Sequence, residues 1–171
     1  MKESNNVIGL SLWRDDIDFT YGALRNVQLA MLFFPKWKIR IFIPKSTQNT
    51  TNISIPKNVI LKMKELGADI GYIDVEKIKI PFNLLSTLLA DDYAVHYFII
   101  RAVRNRLNRR DADAVNEWIA SKQAVHCIRD IPKHINMIIV PELWGGNTRK
   151  LHICLNKKKM KDFIQVKNIL K

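Results

Sequence analysis

Short apolar runs alternate along this chain with stretches in which apolar residues recur at intervals of three and four. Val7 to Trp13, VIGLSLW, is a continuous run of strand formers and reads as a buried first strand. The polar RDDID that follows reads as a loop. From Tyr21 to Phe34 the residues Leu24, Val27, Met31 and Phe34 fall on one helical face, and Pro35 ends the segment. Lys38 to Ile43 predicts a second strand closed by Pro44, and Ser46 to Ser54 a Thr/Asn/Ser loop. Pro56 opens a helix with Val59, Ile60, Met63 and Leu66 on one face. Gly67 stands where a left-handed glycine terminates it. Ile70 to Ile73 then reads as a strand, and Pro81 to Ala90 as a short helix.

In the second half, Tyr97 to Ile100 predicts a strand that runs into an arginine-rich loop. Asn108 is a helix N-cap with Asp111 at N3, and Asp111 and Asp113 suit the positive helix start. Ala112, Val115, Trp118 and Ile119 form the apolar face of that helix. Ala124 to Ile128 reads as another strand and Ile138 to Val140 as one more, ahead of ELWGG. Strand and helix in alternation predict an α/β fold, a mainly parallel central sheet flanked by helices. The pattern decays after Gly146. The expected division is one α/β domain over residues 1–148 and a basic C-terminal tail over 149–171, read either as a weak basic helix or as disordered.

Composition adds limits rather than direction. The chain has 171 residues, 47% apolar and 26% charged, an ordinary globular composition large enough for a real core. Of the formal net charge of +12, the segment from Arg149 to Lys171 carries +7, from eight Lys/Arg and one Asp, so the folded part is only mildly basic. Cys127 and Cys154 lack CxxC partners and support neither a disulfide scaffold nor a zinc site. The sequons at Asn49 and Asn52 matter only for a secreted chain. MKESNN lacks the apolar core of a signal peptide, and the longest apolar run, Leu29 to Phe34, is too short to cross a bilayer. Cytoplasmic is therefore the default location, with the compartment itself undetermined. There is no GxGxxG, no P-loop and no GxSxG elbow.

The candidate chemistry lies in HYFIIRAVRNRLNRRD, from His96 to Asp111. In α/β folds ligands bind beyond the carboxyl ends of the strands, and here that position is a loop full of arginine without a carboxylate until Asp111. Three readings are open: a guanidinium fork for a phosphate, a basic patch for nucleic acid, or a solvated loop. Asp130 and His134 form a further candidate pair, although Pro132 between them argues against one helical face. Trp144, beside two glycines, is a candidate for stacking on a sugar. Asp15, Asp16 and Asp18 follow the first strand and read as an ordinary polar loop.

From His96 to His134, and upstream at YGALRNVQLAMLFFPKWKIRIF and LADDYAVHYFI, the sequence resembles a group of GT-A-type, glycosyltransferase-like proteins with a nucleotide-diphospho-sugar transferase fold. Their middle region runs Arg-Asp-x-Asp-Ser-Arg, then a helix of the Arg-x-x-Ala-Val-x-x-Trp type, then Arg-Asp-His-Pro-x-x-His and Gly-x-Trp-Gly. The resemblance covers about Val7 to Gly146. It implies a GT-A, Rossmann-like domain, incomplete at its C-terminal side. It also implies transfer of a sugar from a nucleotide-diphosphate donor to an unknown acceptor, with a divalent cation (Mn or Mg) held by the Asp-x-Asp pair. In this chain Ala102 and Arg104 stand at those two positions and Asn105 at the serine, so the metal ligands are missing, while Arg101, Arg106 and Leu107 match. Ile131 replaces a histidine, although Arg129, Asp130, Pro132 and His134 match. The donor-binding residues so implied are Arg101, Arg104, Asn105, Asp130, His134 and Trp144, with no catalytic residue assigned. The alternatives are a non-catalytic binding or remnant protein and a basic nucleic-acid-binding module.

Overall fold

A computed structural model describes residues 5–45, 53–137, 139–156, 158–160 and 162. Residues 46–52 with both sequon asparagines, Ile138 and the end of the basic C-terminal segment, 163–171, therefore lie outside the described residues. Strands β1 (Val7–Ser11), β2 (Lys38–Pro44), β3 (Asp69–Ile73), β4 (Tyr97–Arg101), β5 (Val125–Cys127) and β6 (Leu143–Asn147) form one sheet in the order β3-β2-β1-β4-β6-β5. The pairs β3–β2, β2–β1 and β1–β4 are parallel, whereas β6 runs antiparallel to both β4 and β5. The mixed, mainly parallel sheet expected from the alternation of elements is the one observed.

Helices cover both faces, as a parallel sheet requires. Period-two alternation divides the strand residues between two cores. Ile8, Leu10, Ile39, Ile41, Ile43 and Ile99 face α1 (Ile17–Phe33), α2 (Lys57–Glu65) and α4 (Arg109–Ser121), where Val27, Met63, Val115 and Trp118 meet them. Val7, Phe42, Phe98 and Ile100 face the opposite side. There Leu84, Leu85 and Leu89 come from a 3-10 helix at Phe82–Asp91 and Leu151 from α5 (Thr148–Cys154). Among the described residues no helix is long and apolar enough to cross a membrane.

Several expectations need correction. Helix α1 begins at Ile17, not Tyr21: Asp16 caps it, accepting from the Phe19 N–H at 3.2 Å, so RDDID is half cap rather than loop. Its buried face is Phe19, Ala23, Val27 and Ala30, whereas Met31 is exposed. The segment after Pro81 folds as a 3-10 helix. No strand forms at residues 139–140. The Val140 N–H turns to Cys127 Sγ at 3.3 Å, and Pro141 has no N–H for a ladder. The sixth strand is instead LWGGN, which glycine content disfavours. It forms because a side chain at Gly145 would meet the Phe98 carbonyl oxygen at 2.5 Å, so only glycine lets β6 lie this close to β4. From β6 the chain enters α5, capped by Asn147 and burying Leu151 and His152.

The helix-end signals at Asn108 and Gly67 hold. Asn108 is extended (φ −150°) and its side chain accepts from the Asp111 N–H at 3.0 Å. Gly67 ends α2 with φ +87°.

Candidate functional site

The carboxyl ends of β1 and β4 open onto a cleft of about 420 Å³. Ser11 and Trp13 reach it from β1, Ala102 to Asn105 from the loop after β4, Asn83 and Ser86 from the 3-10 helix, and Glu142 from the approach to β6. Ser11 Oγ donates to Ser86 Oγ and accepts from the Ser86 N–H, both at 2.9 Å, which pins the 3-10 helix across the end of β1. One wall is aromatic. Trp13 and Phe19 meet edge to face at 5.3 Å, and the Arg14 guanidinium lies over Phe19 at 5.1 Å while pairing with Asp16 at 2.7 Å. Such an edge-to-face pair with a cation above it is a stable, partly desolvated platform.

The arginine loop is held by a residue that the sequence pattern concealed. Asn26, fully buried on α1, donates from Nδ2 to the carbonyls of Val103 (3.1 Å) and Asn105 (2.9 Å) and accepts at Oδ1 from the Leu107 N–H (3.1 Å). Beside it, a side chain on Gly22 would meet the Val103 carbonyl oxygen at 2.6 Å, so a glycine there lets the loop lie on the helix. Arg106 closes the turn by donating to the carbonyls of Val103 (2.8 Å) and Arg104 (3.1 Å).

The arginines therefore have different tasks. Arg101 is 2% exposed. Its Nε and Nη2 donate to the Asp111 carboxylate, Nη2 at 2.7 Å, and its Nη1 donates to the carbonyls of Ile100 and Trp144. That fork is already filled, so Arg101 ties β4, β6 and α4 together and only borders the cleft. Arg104 sits at the turn, exposed, and among the described residues its guanidinium has no ion pair closer than 4 Å. It faces the same cleft as Glu142. Burial pushes the Glu142 carboxyl up from its usual range while Arg104 pulls it back down.

The other expected residues divide. Asn105 borders the cleft. Asp130 and His134 lie instead in a neighbouring pocket of about 380 Å³ on the far side of the loop, which shares only Arg101 and Asn105 with the cleft. Arg104 does not meet them. Trp144 is 2% exposed and packs edge to face on Phe98 at 5.0 Å, so it is a core residue rather than a stacking surface. Trp13, Arg14, Asn26 and Glu142 are the residues that sequence reasoning passed over. The aromatic Trp13 directly after a buried strand was the one available signal.

The residues present do not suit a divalent cation at this loop. Hard cations take oxygen ligands, and at Ala102 and Arg104 the side chains of the loop are a methyl and a guanidinium. Glu142 is the one carboxylate lining the cleft, and no group of three His, Cys, Asp or Glu is arranged for a metal among the described residues.

This strand order, with a reversed strand beside the fourth, is a Rossmann-like α/β fold. Among solved structures it is matched by the mannosyltransferase PcManGT from Pyrobaculum calidifontis in complex with GDP-Man and Mn2+, with a TM-score of 0.53 at 14% identity. The match covers 88% of this chain and 46% of that one, so the chain spans less than half of that protein's length. At this identity the likeness is one of fold. No protein-family model and no curated protein matches the chain.

Proposed function

We propose that this chain binds a nucleotide-diphospho-sugar in the cleft between β1 and β4 and transfers the sugar from it, with Arg104 taking the charge that a divalent cation supplies in the family it resembles. One observation carries this reading: the exposed guanidinium of Arg104 stands on the cleft, without an ion pair among the described residues; by the resemblance, this is a position where the family has a metal-binding carboxylate. A guanidinium offers a planar fork that matches two phosphate oxygens. The Trp13–Phe19 wall supplies an aromatic border for the base, beside Arg14, whose charge is paired with Asp16. As the leaving diphosphate gains charge during bond cleavage, a guanidinium beside it stabilises that charge.

A nucleic-acid surface has less support. Arg109 and Arg110 pair with Asp113 and Asp130, and Arg106 turns onto loop carbonyls, which breaks up the contiguous basic face such binding needs.

The test is calorimetric titration with GDP, UDP, GDP-mannose and UDP-glucose, in manganese and in EDTA. At least one ligand of these should bind equally well in both, and Arg104→Ala should weaken it tenfold or more, the loss of one charge-assisted contact of about 1.4 kcal/mol or above. Absence of binding with and without manganese sinks the reading. Binding that requires manganese refutes the role of Arg104.

A further inference from the structure

Helix α1 lays one face on the sheet, and its outer face is not the polar one expected of a surface helix. Ile17 is 70% exposed, Met31 57% and Leu32 68%, with Tyr21 exposed and Leu24 half-buried on the same side. Ile17, Tyr21, Met31 and Leu32 belong to neither core. Ile17, Tyr21, Leu24, Gln28 and Met31 recur at intervals of four and three in alternation. That is the spacing at which one helix meets another along a seam. The seam runs for roughly 20 Å, at about 1.5 Å per residue, and is a stripe rather than a scatter of single apolar side chains. Two charges border it. Asp18 and Arg25, both exposed, stand two turns apart on the same side of the seam. Neither has an ion pair among the described residues, and Arg25 Nη1 donates only to the neutral Gln28 side chain, at 2.9 Å.

We infer that the outer face of α1 is an interface for a second copy of this chain, the two helices running antiparallel about a two-fold axis level with Gly22 and Ala23. That axis sets Tyr21 against Leu24 of the second copy and Ile17 against its Gln28, and symmetry repeats each contact. It also brings Asp18 to Arg25 of the second copy, twice over. A parallel pairing would instead oppose Asp18 to Asp18 and Arg25 to Arg25, so the charges select the antiparallel arrangement. The face is thus complementary to itself in both its apolar spacing and its charge. A second copy requires that, and an unrelated partner does not. One helix pair makes a small interface, so the association is weak and reversible. It is independent of what the cleft binds.

Sedimentation equilibrium of the full chain tests this. The wild type should pass from monomer to dimer with a dissociation constant on the order of 100 µM, the weak end expected of so small an interface. Asp18→Arg and Arg25→Asp each set like charges opposite one another at both ends of the pair. Either alone should weaken association about tenfold, and the two together should return it to within about threefold of the wild type. Tyr21→Lys, at the centre of the seam, should abolish the dimer. These three positions are exposed and outside both cores, so thermal unfolding of dilute samples should stay within about 4 °C of the wild type. A chain that remains monomeric up to about 500 µM overturns the interface, and so does a dimer that survives Tyr21→Lys. A double charge variant that associates as weakly as the single ones overturns the antiparallel pairing.

Discussion

Replacing Asn26 with alanine removes one carboxamide and strands several backbone groups of the arginine loop. The Leu107 N–H loses its acceptor at 3.1 Å, and the carbonyls of Val103 and Asn105 lose donors at 3.1 and 2.9 Å. Because Asn26 is fully buried, water does not replace it without opening the contact between α1 and the loop. A buried polar group left without a partner costs about 1–3 kcal/mol. Two such groups left unpaired, with partial relaxation of the third, give a loss of about 3 kcal/mol, a large share of a domain stability of about 5–15 kcal/mol. Asn26→Asp sharpens the test. The carboxylate still accepts from Leu107, but its second oxygen faces the carbonyl oxygens of Val103 and Asn105 and repels them. Urea unfolding should therefore rank the wild type above Asn26→Ala, and that above Asn26→Asp at neutral pH. Amide exchange at Leu107 should accelerate in Asn26→Ala beyond what global destabilisation explains. An Asn26→Ala protein within about 0.5 kcal/mol of wild type, the range of ordinary surface substitutions, with Leu107 exchange unchanged, refutes the clamp.

Two further outcomes follow from the same framework. Asp111→Ala leaves the guanidinium of Arg101 buried without its counter-charge and should cost about 3–5 kcal/mol in chemical denaturation, whereas a loss below about 1 kcal/mol would mean the pair is solvated. His126, stacked on Trp118, is pushed down to about 4 from 6.5 by burial and then by Arg101, with Asp111 opposing. A depressed folded-state value means the unfolded chain takes up the proton first. The stability is complete above about pH 6.5 and falls as pH drops towards 4. His126→Gln should flatten the thermal-unfolding profile over that window, and an unchanged profile would place the acid sensitivity elsewhere.

The parts of the fold visible in the sequence are those set by local rules. Asn108 and Gly67 act within a few residues of themselves, and both the cap and the left-handed stop stand where their chemistry puts them. The strands β1, β2 and β4 announce themselves as buried runs. What stayed hidden depends on partners far along the chain. Asn26 reads as one polar residue among several on an amphipathic helix, and its bonds reach 77 to 81 residues away. LWGGN carries no strand signal until Phe98 is laid against it. Trp144 looks like a site residue beside two glycines, but the same close approach that needs those glycines drives the indole into the core. Arg101 and Arg104 are both expected on the donor. Only the position of Asp111 in space decides that one is structural and the other faces the cleft.

The reversed strand β6 has a further consequence. Because β6 runs against β4 and β5, residues 128–142 leave and rejoin the sheet at the same edge on which the arginine loop sits. The sheet registers on either side do not depend on how long that connection is. Insertions or deletions there change what flanks the cleft while leaving the scaffold intact. A library randomised in length between Cys127 and Leu143 thus varies the border of the cleft on an unchanged frame.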